Sequence, residues 1–400
     1  MKAPKSSLRR NGARAVSALC RKGECGPLLF SKTEIEALLL LRWCSLISVR
    51  DLAAAFPGET LHILRWFKFI TVYKKHDAYV ITREGARFLD AHFDNLPPFI
   101  KPTYRESYIV RRLHVSRLFL SAYRAGLSVF QTDPDSLEHC GGFYLTSKSR
   151  AKGMNPWGST RVAALVRLGN MICGVHYVEN GIGKISLTDE LNALNNSTAR
   201  FRDTTRGLIY TGESYETIMM ELSKAEVHSS SRMIGYGDAF QKLQMPIFLI
   251  PSDEIGARQL CMMAQPEYRA RMTRLALGPA GQPPPAERPE WDAFYQGVPF
   301  VMAADMDLHR IDAAAEQAKA SGKGPIYLVG LKGQEEVLRK RYKASGLAQK
   351  VFTFSREKPE VRETLALYQP VDRQFETQKG GVIHAPPFPK PCRTEKSTRQ

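Results

Sequence analysis

A chain of 400 residues with 43% hydrophobic content can bury a substantial core and is long enough for two or three domains. Its 57 Lys and Arg against 40 Asp and Glu leave a formal charge of +17, which favours a polyanionic partner. No run approaches the ~20 consecutive apolar residues that span a bilayer, and Ala13 to Cys20 is too short and polar for the core of a secretion signal, so a cytoplasmic protein without a membrane partner is expected.

Residues 1–27 carry Lys2, Lys5, Arg9, Arg10, Arg14, Arg21 and Lys22 against one acid, Glu24, the pattern of a disordered basic arm. Cys20 and Cys25 in that arm have no second pair or nearby His to make a zinc site, and seven scattered cysteines do not form a disulfide framework. Ser31 and Glu34 form a capping-box pattern, and Ile35, Leu38, Leu39 and Trp43 recur at helical spacing. A second short helix is predicted from Ser48 to Phe56, ended by Pro57-Gly58, and a third over Glu59 to Lys68. The third turns Leu61, Leu64 and Phe67 inward and leaves Thr60, His62, Arg65 and Lys68 to solvent. The period then changes to two: Ile70, Val72 and Tyr79, Ile81 flank Lys74-Lys75-His76-Asp77, as in two antiparallel strands joined by a basic turn. Thr82 caps a closing helix through Gly85, Phe88 and Leu89.

Three helices, a hairpin and a closing helix make residues 28–95 a winged helix-turn-helix, a fold whose third helix enters the major groove while the hairpin lies along phosphates or the minor groove. Arg65 and Lys68 suit phosphate or guanine, Thr60 and His62 suit either phosphate or base, and Lys74, Lys75 and Arg83 suit phosphate. Double-stranded DNA is the expected partner. The arm, Arg111, Arg112 and Arg117, and Lys148, Arg150, Lys152, Arg161 and Arg167 add basic charge, with no acid between His139 and Tyr177.

Residues 100–277 read as a helix at Glu106 to Arg124, strands at Ser128 to Gln131, Ser159 to Leu168 and Met171 to Val178, a helix at Tyr215 to Lys224 and a strand at Pro246 to Ile250. That order resembles a restriction-endonuclease-like core, which would need an Asp on one strand and a carboxylate and Lys on the next to hold Mg²⁺ and activate water. Asp135 could supply the first, but Asp133 and Asp135 read better as turn residues beside Pro134. The strand Ile172-Cys173-Gly174-Val175-His176-Tyr177-Val178 has no carboxylate and no Lys, so no catalytic residues, metal or cofactor are assigned. Residues 278–290, GPAGQPPPAERPE, read as a Pro-rich linker. Beyond it, residues 291–370 alternate strand and helix as a small parallel α/β unit without GxGxxG or a P-loop; Asp305 and Asp307 follow its first strand, where either a ligand or a helix cap would put them. Residues 371–400 form a basic tail rich in Pro, expected to be disordered. The fold class is therefore α+β.

The Tyr79-Val80-Ile81-Thr82-Arg83-Glu84-Gly85 turn into Phe88-Leu89, with Leu113-His114-Val115-Ser116-Arg117-Leu118 after it, resembles the replication-relaxation family of plasmid and conjugative-element proteins over roughly residues 30–260. The resemblance implies a winged helix joined to a restriction-endonuclease-like domain, assisting replication or mobilisation of a mobile genetic element alongside its relaxase or replication proteins. A non-catalytic DNA-binding accessory protein is the leading expectation. A Mg²⁺-dependent endonuclease and a protein-interaction adaptor without DNA affinity are the alternatives.

Overall fold

The computed structural model describes residues 30–99, 106–138, 141–148, 157, 160, 162–178, 187–202, 204–224, 226–229, 232–235, 245–284, 290–355 and 358–368. The expected arm, 1–27, and tail, 371–400, lie outside the described residues. The fold is mixed α+β, with several sheets.

Ser31 and Glu34 close a reciprocal capping box on α1 (Lys32–Cys44). The run Ala37 to Leu41 is apolar all round, so α1 is buried all round: Leu38, Leu39, Leu40, Leu41 and Trp43 are each 0% exposed. After β1 (Ile47–Ser48), Ser48 caps α2 (Val49–Ala55), and Pro57 precedes α3 (Gly58–Trp66). β2 (Ile70–Tyr73) and β3 (Ala78–Ile81) form a hairpin with Ile70 opposite Ile81, turned by Lys74–His76 and by Asp77 in the left-handed region at φ 45°. β1 pairs antiparallel with β3, giving the order β1-β3-β2, and α4 (Arg83–His92) follows.

α5 (Glu106–Arg124) leads into a five-stranded sheet built from β4 (Gly142–Leu145), β5 (Val162–Leu168), β6 (Met171–Tyr177), β7 (Thr205–Thr211) and β10 (Ile247–Leu249), in the order β10-β7-β6-β5-β4. The first three strands are an antiparallel meander; β7 and β10 are added in parallel. Alternation along the strands serves two faces. Phe143 and Leu145 join the core that includes α5 and α8 (Glu254–Met263), whereas Tyr144 joins the one that includes α6 (Leu187–Thr198) and α7 (Tyr215–Lys224). A separate hairpin, β8 (Glu226–Ser229) with β9 (Arg232–Gly235), follows α7.

Two expectations are corrected here. Ser128 to Gln131 is not a strand; Ser128 makes an isolated bridge to Gly142, and the first strand is β4, whose Phe143-Tyr144-Leu145 pairs with β5. Between β6 and α7 the sequence reading passed over α6 and β7. Gly207 interrupts the apolar pattern of β7, and a Cβ there would lie 3.0 Å from Cys173 Sγ and 3.2 Å from the Pro246 carbonyl, so the neighbouring strands pack tightly over it.

After α9 (Tyr268–Leu277), the segment 278–284 makes a 3₁₀ turn and a bridge from Gln282 to Phe294. β11 (Ala293–Tyr295) and β12 (Val298–Met302) form a hairpin, and β12, β13 (Ile326–Gly330) and β14 (Ala348–Thr353) are parallel. α10 (Leu308–Ala320) connects β12 to β13; α11 (Glu335–Leu338) and a π turn over Arg339–Lys343 connect β13 to β14, and α12 (Pro359–Thr364) closes the described chain. One apolar core includes Trp43, Phe119, Phe248, Phe300 and Val361, so elements before and after the Pro-rich segment pack together.

Candidate nucleic-acid interface

The inward face of α3 is Thr60, Leu61 and Leu64. Thr60 was expected outside; it is 2% exposed, because it lies one turn before Leu64 and shares that residue's face against α1. His62, Arg65 and Trp66 remain on the outer face at helical spacing, and Trp66 is 45% exposed. Lys68 follows in an exposed turn at φ 59°. Its carbonyl accepts the Thr82 hydroxyl at 2.7 Å, and the same oxygen of Thr82 caps α4 by accepting from Gly85 N–H at 3.1 Å. Exposed Arg83, the first residue of α4, directly follows this cap. A Cβ on Gly85 would sit 2.4 Å from the Phe69 carbonyl, so this corner closes only around glycine.

Six of the seven expected contact residues are thus exposed, in two groups. His62 and Arg65 lie on the outer face of α3, Lys68 in the turn that follows it, and Arg83 next to the Thr82 that bonds Lys68. Lys74 and Lys75 stand at the tip of the hairpin, the length of the strand β2 away, about 13 Å at ~3.3 Å per residue. Among the described residues Arg65, Lys68, Lys74 and Arg83 make no ion pair, whereas Lys75 donates to Glu106 Oε2 at 2.6 Å. That hydrogen bond raises the Lys75 pKa and lowers that of Glu106.

Several other basic residues serve the fold instead. Arg117 bonds Asp51 at 3.0 Å and Glu213 at 3.1 Å, tying α5 to α2 and to the loop before α7. Arg167 donates to the carbonyls of Leu137, Glu138 and Gly169. Lys148 is 6% exposed, and its ammonium donates to the Trp43 carbonyl at 2.7 Å. Burial, aided by nearby Arg112, brings its pKa down to about 7. The charge expected to face DNA at Lys148 is therefore buried, while half-exposed Arg167 is engaged by backbone carbonyls; Arg150, Lys152 and Arg161 lie outside the described residues.

In the body, Asp133 accepts from Asp135 N–H at 2.9 Å within a turn, and the Asp135 carboxylate pairs with Arg200. The strand that lacks a carboxylate, β6, presents His176 inward, and the carboxylate opposite comes from α6: Glu190 Oε2 is 3.6 Å from His176 Nδ1, with side chains 6% and 4% exposed. Burial lowers the His176 pKa to about 4. Sequence reading missed Glu190 because it missed α6. Asp307 caps α10 by accepting from Arg310 N–H at 3.3 Å. Asp305, 0% exposed, accepts from Tyr268 at 3.0 Å, Arg269 at 2.8 Å and Arg310 at 3.4 Å, and the two arginines overcome burial to hold its carboxyl below the usual range. These bonds join α9 to α10 and account for both aspartates. No family model matches the chain, and neither a curated protein nor a solved structure matches it.

Proposed function

We propose that residues 28–95 are a winged helix-turn-helix that grips duplex DNA, and that the chain is a DNA-binding accessory protein of a mobile genetic element, acting in its replication, mobilisation or regulation. The observation that carries this reading is the outer face of α3. His62 and Arg65 stand on it with Lys68 and Arg83 beside it, and the three cations lack acidic partners among the described residues. The element order α1, β1, α2, α3, β2, β3, α4 with sheet order β1-β3-β2 supports assigning α3 the groove-entering role.

The helix, meander, helix and strand of the body support a restriction-endonuclease-like core behind the DNA grip. We read that core as non-catalytic, since Asp135 is engaged by Arg200 and the His176–Glu190 pair is buried. Relaxase or replication proteins of the same element are the proposed protein partners. The test is fluorescence anisotropy of labelled duplex DNA over a salt series, with wild type and an Arg65→Ala, Lys68→Ala, Arg83→Ala variant. Salt-dependent binding lost in the variant is expected. Binding that survives the triple change moves the grip elsewhere, and no binding at moderate salt favours the adaptor, for which the occupied hairpin tip at Glu106 already speaks.

A further inference from the structure

We infer that Trp66 is a stacking platform for an unpaired nucleobase, so that the proposed DNA grip acts at a junction between duplex and single strand. The inference rests on the DNA-binding reading and adds a ligand class to it. Of the four tryptophans, Trp43, Trp157 and Trp291 are 0%, 1% and 3% exposed, whereas Trp66 is 45% exposed at the end of α3. The exposed part of this ring offers an apolar face on which a flat partner can lie.

The ring is also held in place. Phe67 meets it edge-on with centroids 4.7 Å apart, and Phe67 packs in turn on Phe30 at 5.2 Å, which contacts Phe69 at 5.4 Å and Phe88 at 5.0 Å. An indole packed edge-on against one ring of a phenylalanine cluster loses less freedom than a fully solvated one when a flat partner lies on it.

The charge around it selects the partner. Arg65 precedes the ring and Lys68 follows two residues later, both exposed and without an ion pair among the described residues. Aromatic faces interleaved with unpaired cations suit a nucleobase with its phosphates. Bases inside a duplex have their faces covered by their neighbours, so an indole on the outside of a helix can take only a base that has left the stack.

The experiment compares a blunt duplex with the same duplex bearing a short oligothymidylate overhang at either end, using anisotropy and tryptophan emission of the full chain. Trp66 being the exposed tryptophan, an overhang should quench emission and bind roughly ten-fold more tightly than the blunt end. Trp66→Ala should bring that ratio close to one, and Trp66→Phe should retain part of it. Equal binding of both DNAs by wild type, or a ratio that survives Trp66→Ala, overturns the stacking site and leaves the duplex reading intact. Binding of neither DNA at moderate salt removes the duplex reading itself, and this inference with it.

Discussion

The ammonium of Lys75, at the tip of the β2–β3 hairpin, donates to Glu106 Oε2 at 2.6 Å, and His76 Nε2 lies 3.4 Å from the same oxygen. The hairpin is thereby tethered to the first turn of α5, and any phosphate must compete with a carboxylate for Lys75. Glu106→Gln should free the tip, raise duplex affinity at low salt and steepen the slope of log K against log salt by roughly 0.9, the contribution of one added phosphate contact. Anisotropy over a salt series measures it; an unchanged slope would show that the tip does not reach phosphate.

Arg65→Ala and the pair Lys74→Ala with Lys75→Ala should behave differently, since one site is on the outer face of α3 and the other a strand's length away. A guanidinium that reads a base should cost ~1 to 3 kcal/mol on the preferred duplex and relax discrimination there, with little change in salt slope. Losing two free wing lysines would flatten the slope by roughly 1.8, but with Lys75 held by Glu106 a loss nearer 0.9 is expected. If both variants bind specific and non-specific duplex as wild type does, α3 and the hairpin are not the reader.

Lys148 should make stability depend on pH on the alkaline side. Its folded pKa is about 7 against an ordinary 10.5, so between those values the unfolded chain binds the extra proton and stability rises with pH. The contribution is at most about 1.4 kcal/mol per pH unit. Urea unfolding at intervals across that window should show Lys148→Met lacking this component and relatively more stable toward neutral pH. Parallel pH curves for the two proteins would mean that the ammonium is solvated.

Gly85→Ala should lower stability by about 1 to 3 kcal/mol, because a methyl group there meets the Phe69 carbonyl at 2.4 Å and the corner must open. The midpoint of chemical denaturation reads the loss, and duplex binding should fall with it, since Lys68 and Arg83 are placed by that corner. A variant as stable as wild type would show that β3 and α4 can shift apart.

Arg310→Met should cost on the order of 3 to 5 kcal/mol by leaving Asp292 and Asp305 without the guanidinium that bonds them at 2.8 and 3.4 Å. If unfolding is unaffected, the aspartates are held by Arg269 and the backbone alone, and a ligand role for them regains interest.

The sequence by itself determined the local elements that depend on near neighbours. The Ser31–Glu34 cap, the period change after Phe67, the Thr82 cap and the alternation from β12 to β14 are all short-range, and the observed elements follow them. Tertiary structure decided what each charge and glycine is for. Thr60 is polar by type yet buried, because helical geometry sets it in line with Leu64. Lys148 and Arg167 look like surface charge in a row of cations, but carbonyls distant in sequence capture them. Lys75 meets Glu106 across 31 positions, and Glu190 faces His176 from a helix that composition alone did not reveal. β7 is hard to read because Gly207, over which β6 and the residue before β10 pack closely, breaks the pattern that marks a strand. Periodicity records which face a residue occupies, whereas ion pairing and close approach depend on partners that only the folded chain brings within a few ångströms.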